Sequence, residues 1–238
     1  MVRSATDVRA FWFGDPPATE ARDLWFRKDT AFDAAVRERY ADTLAAALQG
    51  GLRDWDQTPA GALARIVVLD QFTRNAFRDT PRAFAGDALA LAAATALADS
   101  GGHLQLPPLQ RWFAYLPLEH AEDLAAQERA LRLYEDLAAD DPTLAGALEW
   151  AQKHHAVVAR FGRFPHRNAV LGRPSSAEEA AFLRQPGSRR KATSSTVLSR
   201  PRMALRCGKR PKRATTAWCL RAHSSAPTRA GSSVARRS

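Results

Sequence analysis

The stretch "RFGRFPHRNAVLGR" sets Arg160, Arg163, Arg167 and Arg173 beside His166 and Asn168, with Gly162 and Pro165 between them. Glycine ends a helix readily and proline forbids its immediate resumption, so these cations are displayed from an irregular corner. A guanidinium presents a planar fork of donors that matches carboxylate and phosphate oxygens, and nearby helix starts add backbone donors, which makes the corner a candidate anion site. The same arginines could instead hydrogen-bond helix carbonyls and pair with Asp70, Glu119, Glu122 or Asp123, locking the helices together. The residues themselves leave those two readings even.

Two further sets of side chains could do chemistry. In "LDQFTRN", Asp70 and Arg74 are four apart and share a helix face that continues the apolar line of Leu63, Ile66 and Val67, so the pair points inward. An inward charge pair is expensive unless each partner is fully hydrogen-bonded, and its plain role is to fix the following turn. In "YLPLEHAEDLAAQER", Pro117 is read as preceding a helix whose first turn carries Glu119, Glu122 and Asp123, where carboxylates suit the positive dipole end. His120 then lines up with Leu124, Gln127 and Leu131 on the buried face. His154 falls in a stripe with Trp150, Val157 and Phe161 and also faces inward. A lone histidine on an apolar face is commonly a hydrogen-bonded core residue, and the alternative is an acid or base.

Several chemistries are excluded or weakened by spacing. His120, His154 and His166 with Glu119 or Glu122 form no HExxH pair and no Glu-x-x-His of the di-iron kind, so neither a metal nor another cofactor is expected. Both cysteines, Cys207 and Cys219, lie near the C-terminus, and no Gly-x-Ser-x-Gly elbow, phosphate loop or dinucleotide fingerprint is present. A reducing, cytoplasmic setting fits that cysteine usage.

The elements that must position these residues read as helices, with apolar residues recurring at three and four and almost no alternation. Ser4 to Gly14, Asp29 or Thr30 to Gly50, Thr58-Pro59 through Asn75, Thr80-Pro81 to Gly101, Pro117 to Asp140, Asp141-Pro142 to Gly162, and a capping box from Ser176 to Glu179 give seven or eight helices joined by short loops. A weak internal echo links "DQFTRN" and "RFPHRN", each an aromatic residue followed by Arg-Asn at a helix end. Charge divides the chain sharply. Residues 187–238 hold 14 Lys and Arg and no acid, which leaves 21 Lys and Arg against 25 Asp and Glu, a formal charge of −4, in residues 1–186. An all-helical domain over 1–187 is therefore expected, followed at 188–238 by a basic, disordered tail. The tail reads either as GC-rich codons translated out of frame or, less readily, as a nucleic-acid arm. No run approaches the ~20 apolar residues of a membrane span, and no signal peptide is expected.

The segments "FWFGDP", "WFRKDTAFD", "LDQFTRNAFRDTPRAFAGD", "YLPLEHAEDLAAQER" and "RFGRFPHRNAVLGRPSSAEEAAFL" resemble the bacterial domain of unknown function 924, over about residues 8–187. The resemblance implies an all-helical fold related to the tetratricopeptide-like superfamily and implies no known reaction. Thr73 stands where that family usually has proline. The motifs contain Asp70, Gln71, Arg74, Asn75, Glu119, His120, Glu122, Arg163, His166, Arg167 and Asn168, which with His154 suggests one polar pocket, since helices built for packing alone do not need so many inward polar groups. In that pocket Arg74, Arg163 and Arg167 would hold a small anion, and His120 or His166 would be the acid or base. The rival reading is a non-catalytic helical scaffold that binds a peptide or protein on a concave face.

Overall fold

A computed structural model describes residues 1–186; the expected basic tail at 188–238 lies outside the described residues. Each helix begins where the local chemistry can satisfy its free N–H groups. Ser4 and Asp7 form a reciprocal capping box at the start of α1 (Ala5–Phe13). Asp29 accepts from the backbone N–H groups of Ala31 and Phe32 to open α2 (Thr30–Leu48). Thr58 accepts from Gly61, and Pro59 occupies the first position of α3 (Pro59–Val67).

α3 does not end at Val67. It runs on through a π-helical turn, Val68–Phe72, into α4 (Thr73–Ala76). This composite rod is the centre of the molecule: Leu63, Ile66, Val67, Val68, Leu69 and Phe72 are all fully buried. Around it pack α1, α2, α5 (Asp87–Asp99) and α6 (Pro108–Glu119). α7 (Leu124–Asp140) packs on α6, α8 (Ala145–Phe161) packs on α7, and α9 (Ala177–Leu183) closes against the corner at 165–167. Counting the central rod once, the described residues contain eight helices and no strand. None of these helices is long and apolar enough to cross a membrane.

An aromatic core binds the N-terminal half together. Trp12 stacks on Trp25 and meets Phe72 and Phe113, while Tyr40 and Phe11 meet Phe72 from the other side. Fully burying one such side chain contributes roughly 1.5–3 kcal/mol.

Two expected helices divide. The segment from Thr80 forms a 3₁₀ turn at Pro81–Phe84 before α5, and Gly86 between them passes so close to α3's continuation that a Cβ there would sit 2.2 Å from the Leu69 carbonyl. The segment from Pro117 is not a helix start. Pro107-Pro108 opens α6, Pro117 lies inside its last turn, and the chain breaks at 120–123 before Asp123 caps α7. Gln127 fixes the break by donating its amide to the carbonyls of Glu119 and Ala121. Glu119 and His120 therefore stand at the end of one helix instead of in the first turn of another, and His120 does not share a helical face with Leu124, Gln127 and Leu131.

Candidate functional site

The π turn brings Asp70 to the head of the site. A π turn displaces the regular i→i−4 ladder, and here side chains take up the carbonyls concerned: Thr73 Oγ1 donates to Leu69 O at 2.7 Å and Arg74 Nη1 to Asp70 O at 2.7 Å. The Asp70 carboxylate is buried and receives Arg74 Nη1 at 2.9 Å, His120 Nδ1 at 2.8 Å and the Gln71 amide. Burial alone would raise this carboxyl, yet Arg74 and His120 hold it well below the usual carboxylate range. An ionised Asp70 only accepts, so His120 donates from Nδ1, and in the neutral ring the basic lone pair lies on Nε2.

A second carboxylate–histidine dyad adjoins the first. Glu119, also buried, is paired with His154 Nδ1, and the His120 and His154 rings meet edge to face with centroids 6.2 Å apart. Both rings line one cavity of about 370 Å³.

The cation wall comes from the two echoed Arg-Asn segments. Arg74 follows the π turn, and Arg167 closes the 3₁₀ turn Pro165–Arg167. The two guanidiniums meet at Asp87, the first residue of α5, at 3.0 Å from Arg74 and 3.2 Å from Arg167. Arg167 Nη2 also donates to the His120 carbonyl at 3.0 Å, and its guanidinium lies between the faces of Phe84 and Phe164, at 4.8 and 4.6 Å. Burial and the neighbouring Arg74 push Arg167 down to about 10. Its Nε is buried without a hydrogen-bond partner among the described residues.

The asparagines that echo each other are braces. Asn75 lines the cavity but gives its amide to Asp33 at 2.7 Å, and Asp33 also holds Arg78 through two bonds. Asn168 donates to Ser175, a residue of the cavity wall, at 3.1 Å and accepts from Arg173 Nε at 3.0 Å, but does not itself line the cavity. Glu122 likewise stays outside: it accepts from the Phe164 N–H at 2.8 Å and pairs with Arg173, contacts that hold its carboxyl below the ordinary value against the cost of burial. Arg163, expected on the anion wall, instead forks onto Glu179 at 2.6 and 2.8 Å and onto the Pro174 carbonyl at 3.0 Å. Thus, of the expected residues, His120, His154, His166, Arg74, Arg167, Asn75 and Glu119 line the cavity, with Asp70 directly behind; Arg27 and Arg78 line it too but pair with Asp23 and Asp33.

Residue reasoning missed Asp87 and the rings. The sequence puts Asp87 inside a long expected helix; its position just after Gly86, where a helix can begin, is the signal that marks it. Trp25, Phe26, Phe84, Trp112, Trp150 and Phe164 also line the cavity, and an aromatic residue in sequence gives no sign of whether it faces core or cleft. Among the described residues no group of three or more His, Cys, Asp or Glu is placed to hold a metal ion.

Residues 8–187 match the family described as "Bacterial protein of unknown function (DUF924)". The chain belongs to that family. The solved structure of a protein of unknown function from Agrobacterium tumefaciens is similar to this DUF924 member, at 39% sequence identity and a TM-score of 0.67, over 76% of this chain and 96% of the other. No curated protein matches the chain.

Proposed function

We propose that this DUF924 protein holds a small anionic molecule in the cavity, its oxyanion on Arg74 and Arg167, and that His120 exchanges a proton with it. The observation that carries this reading is the shared carboxylate. Arg74 spans Asp70 and Asp87, whereas Arg167 has only a share of Asp87, so its charge is under-compensated in a buried setting. An oxyanion would relieve that imbalance and satisfy donors in the geometry that guanidiniums favour.

His120 suits acid–base work because Asp70 orients the ring through Nδ1 and leaves Nε2 to exchange a proton. His154 with Glu119 repeats the device across the cavity, and His166 lines the same space as a further polar wall. The alternative is a peptide-binding scaffold of tetratricopeptide-like kind, to which the succession of α5 on α6, α6 on α7 and α7 on α8 is suited. The charged wall supports the small-molecule reading more than a peptide groove.

Histidine ¹⁵N resonances test the proposal. His120 should be the Nδ1–H tautomer, and added inorganic phosphate should shift its Nε2 resonance while leaving His103, whose Nδ1 is 2.6 Å from the Tyr115 hydroxyl, unmoved. An Nε2–H tautomer at His120, or no response to phosphate, counts against it.

A further inference from the structure

The cavity lining is chemically of two kinds. It combines the guanidinium pair on Asp87 with a run of rings: Phe26 stacks on Trp112 at 5.1 Å with their planes 24° apart, and Trp25 meets Phe26 at 6.2 Å. Trp150, a further lining ring, is 6.3 Å from the His154 ring and carries Lys153 Nζ 4.6 Å over it. Trp25 and Trp112 are largely buried by the core behind them, but Phe26 and Trp150 keep part of their surface open, and all four face the cavity. These rings share the cavity lining with Arg74, Arg167 and the two histidines of the carboxylate pairs.

We infer that the ligand is an organic anion with a planar apolar body: an oxyanion head, carboxylate or phosphate, on Arg74 and Arg167, and an aromatic or conjugated body against Phe26, Trp112 and Trp150. The inference rests on the small-anion reading and adds the body to it. A cavity of about 370 Å³ is at the small end of ordinary ligand sites and has room for more than the head alone. Ring faces bind planar apolar groups by offset stacking, and the area they desolvate adds to the charge-assisted head contacts.

Matched probes separate the two levels of the claim. Calorimetric titration of the full chain with phosphate and acetate reads the head alone, phenyl phosphate and indole-3-acetate read head with body, and phenol and indole read the body alone. The arylated acids should bind at least about tenfold tighter than their heads, and phenol and indole far more weakly than the acids that carry them. Trp150→Ala should erase most of the tenfold advantage while phosphate binds as before. A check of its thermal melt confirms that the variant is folded, and Phe26→Ala serves the same purpose if it is not. Phosphate and phenyl phosphate of equal affinity would overturn the planar body and leave the anion site standing. Indole binding as tightly as indole-3-acetate would overturn the inference by removing the head. Binding of none of the probes would overturn both readings together.

Discussion

Arg163 and Arg167 stand four residues apart in one basic segment, yet their partners give them different work. Arg163 is fully forked onto Glu179, whose carboxyl is pulled down to about 2 by that arginine and by the Ser176 backbone, and the pair ties the corner to α9. Arg167 is sandwiched between rings with one shared carboxylate. Arg163→Ala should therefore loosen the corner but leave any anion effect intact, which melts with and without phosphate would show. The paired carboxylates also fix the acid limit. The folded values of Asp70, Asp33, Glu122 and Glu179 all lie below their unfolded ones, so their stabilisation is complete above about pH 5 and is lost as pH falls through the folded values. Stability should be level near neutrality and decline steadily below about pH 4, as measured by denaturant midpoints across pH. Asp70→Asn should flatten part of that decline. A midpoint that rises on acidification would contradict the pairing.

At the level of elements, the site depends on three interruptions of helix: the π turn, the Gly86 crossing and the break after Glu119. Gly86→Ala would force a Cβ to 2.2 Å from the Leu69 carbonyl, a backbone atom that cannot rotate away. It should cost about 1–3 kcal/mol in a denaturant melt and weaken anion binding as well, because Asp87 and the π turn shift together. The caps were legible in sequence: Ser4, Asp29, Thr58-Pro59 and Ser176 with Glu179 each satisfy donors locally, and each helix begins there. The interruptions were not, because their causes are contacts between distant segments. The Gly86 approach exists only once α5 is laid on the central rod, and the Gln127 amide that holds the break open acts across the turn it creates. Site residues followed the same division. Asp70, Arg74, His120, His154 and Arg167 carry chemistry in their types, whereas Asp87 became visible only as the point where two remote arginines meet.

Across the whole molecule, the family match ends at residue 187, and residues 187–238 carry 14 basic residues and no acid. A chain ending at residue 187 should melt within about 4 °C of the full chain, the size of a ~1 kcal/mol change; loss of cooperative unfolding would show that the body needs the rest. That basic segment carries charge that itself attracts anions, so a test of the cavity must leave it in place. Arg167→Met provides one, keeping an apolar stem between Phe84 and Phe164 while removing the charge. The decisive measurement is the denaturant-derived stability of parent and Arg167→Met as phosphate is raised at constant ionic strength. The variant should be destabilised by less than about 2 kcal/mol, the parent should gain stability in proportion to the logarithm of phosphate concentration once the site fills, and the variant should gain none. Equal gains in both, or a loss of about 3–5 kcal/mol in the variant with no phosphate effect in the parent, would make Arg167 a brace and the cavity something other than an anion site.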